Sequence, residues 1–310
     1  MSGVAELIAD RGEASADGEF FRSRPFLDAE GVTHTLRIEA GERELLAPLV
    51  VREIPGSERL DATSPYGYPG LRGPVGAPLD PAAIDFIPTG LVSIFLRLAL
   101  GEPPLTGVSE RNAVQIADPE QPPKSRPSDR NQINRNRREG YEVRIVPGPG
   151  TDPADRAGFL AAYEETMHRA NADQRYFFGA AYFDRILESD RAWLALAEAP
   201  DGGVAAGSVA VRSDGLLHYY LSGSADSHLR DSPMKNVVAA LVELAAEQGM
   251  PLNLGGGITR GDRLEEFKRG FANREQPWHT SEIVCDSKAY AHLSGGRGEG
   301  RFFPAYRAPR

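Results

Sequence analysis

The stretch whose residue types best suit chemistry is Leu254-Gly255-Gly256-Gly257, followed at Leu264 by Leu-Glu-Glu-Phe-Lys-Arg-Gly-Phe, ending at Phe271. A short apolar strand over 252–254 runs into a glycine turn, and a helix begins just beyond it. Asp262 is placed to cap that helix, because its carboxylate can accept the free N–H groups of the first turn. On a helical wheel Leu264, Phe267 and Phe271 share one face, Lys268 falls at its edge and Arg269 points to solvent. A lysine beside an apolar stripe, next to an aromatic and after a flexible turn, can present a fixed positive charge to a buried anionic group. The same spacing also fits a lysine whose stem lies along an amphipathic helix with its ammonium in water. The three glycines read as the turn that aims the helix rather than as a phosphate nest.

Other chemistries find less support. The six histidines, His34, His168, His218, His228, His279 and His292, do not cluster with Cys, Asp or Glu at ligand spacing, so no metal site is expected. There is no G-x-S-x-G elbow, no P-loop and no G-x-G-x-x-G. The single cysteine, Cys285, sits in a predicted strand between Val284 and Asp286 and reads as a packing residue. Arg175-Tyr176-Phe177-Phe178 places a guanidinium among aromatics, an arrangement suited to bidentate capture of a phosphate or carboxylate. Ser64-Pro65-Tyr66-Gly67-Tyr68 is a stiff loop with two tyrosines. In His218-Tyr219-Tyr220-Leu221-Ser222 strand alternation sends Tyr219 and Tyr220 to opposite faces.

These residues must be positioned by elements that are legible in outline. The second half begins with a helix opening at Asp152-Pro153 and carrying Phe159, Tyr163 and Met167, then a second aromatic helix over 176–187. Strands at 192–197, 204–211 and 216–221 are separated by Asp201-Gly202-Gly203 and Ser213-Asp214-Gly215, both hairpin turn signals. Ser232-Pro233 reads as an N-cap with proline at the first helical position, and that helix stops at Gly249. A strand at 252–254, the Phe267-Lys268 helix and a strand at 282–285 complete the order. The first half shows three further strands at 33–38, 45–51 and 60–64, with turn signals at Gly41 and Gly56. Residues 119–127 form a proline-rich link. From Lys124 to Arg138 six basic residues stand against one acidic, on a helix over 128–140 that is either a solvated face or a phosphate contact.

Composition sets outer limits. With 310 residues, 41% apolar and 25% charged, the chain suits a globular protein of one large or two smaller domains. No apolar run is long enough to span a membrane, and the segment 1–13 lacks the pattern of a secretory signal. One cysteine excludes an internal disulfide and fits a cytoplasmic location. A net charge of -9 argues against nonspecific coating of nucleic acid, while leaving room for a local basic patch.

The order helix, helix, three antiparallel strands, helix, strand, helix, strand is that of a GNAT-type acyltransferase domain, an α/β (α+β) fold with a mixed sheet. A GNAT domain that uses acyl-CoA carries an R/Q-x-x-G-x-G/A loop whose backbone N–H groups hold the pyrophosphate at a helix N-terminus. The corresponding segment here, Leu229-Arg230-Asp231-Ser232-Pro233-Met234-Lys235, has no glycine, contains an aspartate and includes a proline without an N–H. It is a poor pyrophosphate cradle. Taken in order, the Ser64 to Tyr68 loop, Val92 to Arg97, Tyr163 to Met167, Tyr176 to Phe178, the His218 to Ser224 strand, the Gly255 turn and Phe267-Lys268 resemble the FemX/FemA/FemB-like branch of the GNAT superfamily.

That resemblance implies two tandem GNAT-like domains in a compact FemX-like form without a coiled-coil insertion. The expected division is 1–140 and 141–295, with the tail 296–310 docking on the first domain. It further implies transfer of an amino acid from aminoacyl-tRNA to an amine of a peptidoglycan precursor or a peptidyl natural product, with aminoacyl-tRNA as co-substrate and no cofactor. Lys268 and Phe267 are the expected catalytic pair. Arg175, Tyr176, Tyr219, Tyr220, Ser222 and Tyr66 are the expected substrate-binding residues, and Arg135, Arg137, Arg138 and Arg269 the expected tRNA contacts. A cytoplasmic monomer is expected. The alternatives are an acyl-CoA-dependent N-acyltransferase and a non-catalytic precursor-binding protein.

Overall fold

The computed structural model describes residues 3–10, 18–295 and 302–308. The chain divides into two compact units, Met1–Arg111 with Pro277–Arg310, and Asn112–Gln276. The first unit contains β1 (Gly3–Ile8), α1 (Arg24–Ala29), β2 (His34–Ala40), β3 (Arg43–Glu53), β4 (Leu60–Thr63), β5 (Ile84–Asp85) and β6 (Leu91–Arg97). The second contains most of β7 (Ser109–Ala117), then α2 (Pro127–Arg138), β8 (Glu142–Pro147), α3 (Pro153–Arg169), α4 (Ala180–Ile186), β9 (Ala192–Glu198), β10 (Val204–Ser213) and β11 (Leu216–Ser224). It continues with α5 (Met234–Glu247), β12 (Leu252–Gly255) and α6 (Arg263–Arg269). β13 (Arg274–Val284) and α7 (Ser287–Ser294) lead back into the first unit.

The same sheet plan is built twice. In the second unit β8, β9, β10 and β11 are joined antiparallel in sequence, β11 pairs parallel with β12, and β12 pairs antiparallel with β7. In the first, β1, β2, β3 and β4 are antiparallel, β4 pairs parallel with β6, and β6 pairs antiparallel with β13. A parallel pair needs a crossover, and in the second unit α5 supplies it. Between β4 and β6 the connection is mostly loop, with short 3-10 turns at Pro81–Ala83 and Ile87–Thr89.

Each unit has its own apolar core. Leu36, Ile38, Leu45, Leu49, Ile94, Leu96 and Ile283 pack in the first. In the second, Val237, Val238 and Leu241 of α5 lie on Ala195, Ala206, Ala210, Leu217 and Tyr219. The small residues of β9 and β10 let that helix approach closely. α3 covers the other face: a Cβ added at Gly223 would meet the Tyr163 backbone at 2.4 Å, and one at Gly207 would meet Phe159 at 2.8 Å.

Several boundaries differ from the sequence expectation. The basic helix α2 lies in the second unit, so the division falls near 111 rather than 140. Buried hydrogen bonds tie α2 to α5: Asn136 Nδ2 donates to Asn236 Oδ1 at 2.8 Å, and Asn236 Nδ2 to the Ile133 carbonyl at 3.2 Å. Ser232 does not cap α5. It sits at φ 50°, Pro233 takes the N-cap position, and no side chain caps the helix. The expected helix over 176–187 is a 3-10 turn, Gln174–Tyr176, followed by α4, because Gly179 in extended geometry restarts the chain. The last strand begins at Arg274, well before the expected 282.

The tail expected to dock, 296–310, lies partly outside the described residues. Within 302–308, Tyr306 Oη lies 2.7 Å from Ser93 Oγ and donates to Asp61 at 3.1 Å, and Phe303 stacks on Tyr290. Asp61 is fully buried and also accepts from Arg52 and Arg307, so its charge is paired twice over. Gly223→Ala tests the α3 contact. The added Cβ has backbone, not a yielding side chain, in its path, and the expected loss is at least about 2 kcal/mol in a urea unfolding series.

Candidate active site

β11 and β12 are paired at only two positions, Leu217↔Leu252 and His218↔Asn253. Beyond these β12 turns away at Gly255, whose φ of 75° only glycine adopts without strain, while β11 runs on to Ser224. The two strands therefore splay, and the candidate site lies where they part. A buried network holds the fork. Asn253 Nδ2 donates to His218 Nδ1 at 3.0 Å, His218 Nε2 donates to the Ser213 carbonyl at 3.2 Å, and Gly255 N–H donates to Asn253 Oδ1 at 2.8 Å. These partners require His218 to be neutral, with its proton on Nε2. Burial depresses its pKa to about 4.

Lys268 is aimed at the fork by α6. Asp262 caps that helix through the Glu265 N–H at 2.8 Å, and its other oxygen accepts from Ile258 N–H and Thr259 N–H. One carboxylate thus fixes both the loop after the glycines and the helix start. The wheel expectation is only half met. Phe267 and Phe271 face the core, but Leu264 is 40% exposed, while Glu265 and Lys268 are buried at 1% and 8%. Helix α6 is rotated so that charged residues face inward. Glu265 is satisfied by Arg269 and the Gly261 N–H.

The Lys268 ammonium donates to the Gly256 carbonyl at 2.7 Å and lies 6.0 Å from the centroid of the Tyr219 ring. Burial lowers its pKa to about 8, with Asp262 opposing the shift. A carbonyl dipole and a ring face replace water only partly, and no carboxylate touches the ammonium among the described residues. Tyr219 is buried, and burial pushes its pKa up to about 12, with the Ser222 side chain opposing the shift. Residues three apart on a strand do not normally share a face. Here the register pairs Leu221 with Val209 and Tyr219 with Ala210, so Tyr220 is an inserted bulge residue that brings Tyr219 and Ser222 together.

The structure thus assembles Lys268, Tyr219 and Ser222 on one face of the sheet, with Phe267 packed against Phe271 beside them. The other sequence candidates lie elsewhere. Tyr220 points to the α4 side, its hydroxyl 2.8 Å from that of Tyr182. Arg175 forms an exposed pair with Asp173 at 2.9 Å, and the Tyr176 carbonyl accepts from Tyr163 at 2.6 Å. Tyr66 belongs to the first unit, where its ring lies 5.3 Å from the Arg97 guanidinium. Of the basic residues, Arg135 pairs with Glu139, Arg137 with Glu243 at 3.7 Å, and Arg269 with Glu265, while Arg138 reaches the Asn134 carbonyl. The sequence does not mark His218 and Asn253 as a pair. Only the fork makes them partners.

The segment at the position of a pyrophosphate cradle is bonded to its own neighbours. At the start of α5 the Asp231 carbonyl accepts from Gln132 and Asn136 of α2, at 3.0 and 2.8 Å. The Asp231 carboxylate accepts from Tyr141 Oη at 3.0 Å, and Lys235 is paired with the buried Asp129 at 2.9 Å. No glycine turn presents free N–H groups there.

Comparison with known proteins agrees with this architecture. Residues 124–269 match the acetyltransferase (GNAT) domain model. No curated protein matches the sequence. The solved structure of FemX superposes with a TM-score of 0.62 at 11% identity, covering 93% of this chain and 99% of its own. The C-terminal domain of a putative lysylphosphatidylglycerol synthetase from Agrobacterium fabrum gives 0.60 at 15% identity, covering 91% and 94%. L-PGS from Bacillus licheniformis gives 0.57 at 14%, covering 91% and 94%. The chain has a FemX-like GNAT fold.

The His218 network has a pH signature. Its pKa lies below that of an unfolded histidine, so the unfolded chain takes up the proton first as pH falls. Stability is complete above about pH 6.5 and declines toward pH 4, by about 3 kcal/mol in all. Urea midpoints measured across this range should show the decline, and His218→Gln should flatten it.

Proposed function

We propose that this protein is an aminoacyltransferase that moves an amino acid from aminoacyl-tRNA to the amine of a cell-wall precursor or a peptide natural product, forming a peptide bond. The observation that carries this reading is the buried Lys268 ammonium at the β11–β12 fork, in a domain where the segment before α5 has no glycine loop and is bonded to α2 through the Asp231 carbonyl. An acyl group must be delivered, and the delivery site for CoA lacks its donors. The fold likeness to FemX supports the same reading.

The donor ester is already activated. The acceptor's neutral amine attacks the ester carbon, the carbon–oxygen bond to the ribose breaks, and the departing ribose oxygen takes the proton that the amine gives up. Negative charge develops on the carbonyl oxygen during attack, and Lys268 supplies a desolvated positive charge to meet it. Weak dielectric screening makes that charge worth more here than in water. Tyr219 stays protonated at neutral pH and acts as the platform under the ammonium. Phe267 seals the apolar side. No protein carboxylate or histidine is required as base. Arg135 and Arg137 hold exposed glutamate pairs of little worth, which RNA phosphates at an acceptor stem can replace; Arg138 spends its guanidinium on the Asn134 carbonyl, and Arg269 stays committed to the buried Glu265.

The test incubates the protein with charged total tRNA and a mixture of amine acceptors, in parallel with labelled acetyl-CoA. Acceptor-dependent, RNase-sensitive discharge of the aminoacyl label is expected. Discharge of acetyl-CoA alone overturns the reading. Lys268→Ala should lower turnover by about two to three orders of magnitude with an unchanged melting temperature. Because the active form is the ammonium, turnover should fall as pH rises through about 8. Lys268→Arg, which stays charged, should lose that alkaline limb.

A further inference from the structure

A second cationic site lies in the first unit, on the outer face of β6 and β13. Ile94 and Leu96 of β6 point into the core with Ile283. Phe95 and Arg97 therefore face the other way. The register sets Arg97 opposite Thr280 and Phe95 opposite Glu282, and Trp278 continues that face along β13. The Arg97 guanidinium lies 5.3 Å from the Tyr66 ring centroid and 5.8 Å from those of both Phe95 and Trp278. Arg111 is beside it, 5.6 Å from the Phe95 ring, donating to Thr280 Oγ1 at 2.9 Å and paired with Glu282.

The charges on this face do not balance. Two guanidinium groups stand close together, and the neighbouring positive charge of Arg97 adds to burial in lowering the pKa of Arg111. One carboxylate, Glu282, is engaged by Arg111. Among the described residues the Arg97 guanidinium makes no hydrogen bond and no ion pair. Three rings lie around it, yet its five N–H donors, arranged as a fork that matches two oxygens of one anion, are unspent. An arginine needed only for packing would gain more from a carboxylate than from a second arginine.

We propose that Arg97, with Arg111 beside it, binds an oxyanion, a phosphoryl or carboxylate group on a ligand whose ring or chain lies along Trp278 and Tyr66. That this ligand is the amine-bearing acceptor rests on the reading given above, whereas the anion site itself does not.

Tryptophan emission reads the site directly. The chain has two tryptophans, and Trp193→Phe leaves Trp278 alone against Arg97. The full-length Trp193→Phe protein is titrated with inorganic pyrophosphate, inorganic phosphate and citrate at fixed ionic strength. A saturable change in emission with at least one of them is expected, and the tighter of pyrophosphate and citrate identifies a phosphoryl or a carboxylate ligand. Arg97→Gln should weaken it by about tenfold or more, with the melting temperature retained. Arg97→Lys, which keeps the charge but loses the fork, should weaken it less, and provides the comparison if the glutamine variant does not fold. Lys268→Ala should bind as the parent does. No saturable change at millimolar concentrations, or equal binding by the parent and both Arg97 variants, overturns the proposal. Failure of the tRNA assay with anion binding intact would instead count against the acyl donor alone.

Discussion

A buried ammonium with one carbonyl for a partner governs this molecule's candidate site. Lys268 donates a hydrogen bond to the Gly256 carbonyl and rests over Tyr219, and everything near it serves that arrangement. Desolvating an ammonium costs several kcal/mol unless compensation is arranged. The compensation here is partial, which is why its pKa falls to about 8. The Gly256 carbonyl is held because Gly255 bends the strand and Asn253 takes the Gly255 N–H. Asn253 is in turn bonded to a neutral His218. The chain of bonds from Ser213 to Lys268 crosses the one place where β11 and β12 still touch. The ammonium is thus stored in a strained electrostatic state by a rigid backbone, the condition under which a positive charge is most useful to a developing oxyanion.

The fork is a property of the sheet plan rather than of any single residue. Two parallel strands that pair at two positions and then diverge leave backbone without a ladder partner, and such a gap can take in a substrate. The first unit repeats the plan but replaces the crossover helix with a loop bearing Tyr66 and Tyr68, and one face of its β6 and β13 is dressed with aromatic rings and arginines. The same scaffold thus carries a lysine between strands in one unit and an arginine between rings in the other. Fold alone assigns neither a reaction. The side chains placed on it do.

The α2 segment shows how charge counting misleads. Six basic residues in fifteen suggest a surface for phosphates. In the structure the helix is turned by Ile133, Asn136 and Asp129, whose burial against α5 fixes its seat, and several arginines fold back onto glutamates. Its side-chain amides bond the Asp231 carbonyl and tie the segment before α5 to α2. A segment that looked like a linker and a handle is part of the second unit's wall.

The sequence by itself determined the local elements. Hairpin glycines, apolar alternation and the Asp262 cap specify strands β9 to β12 and helix α6, because these depend on residues close together in the chain. It also marked Lys268, Phe267, Tyr219 and Ser222, and showed that the loop before α5 lacks a phosphate-binding pattern. It could not say that Lys268 points inward with Glu265 while Leu264 turns out, since a seven-residue helix offers two plausible faces and packing chooses between them. Nor could it separate Arg175, Tyr176 and Tyr220 from Lys268, because the two sides of a sheet are told apart only once the strands are paired. The Tyr220 bulge, the His218–Asn253 lock and the unpaired Arg97 among three rings join residues as far as 181 positions apart. Only tertiary structure decides them, because their energies arise from burial and from partners that adjacent sequence does not contain.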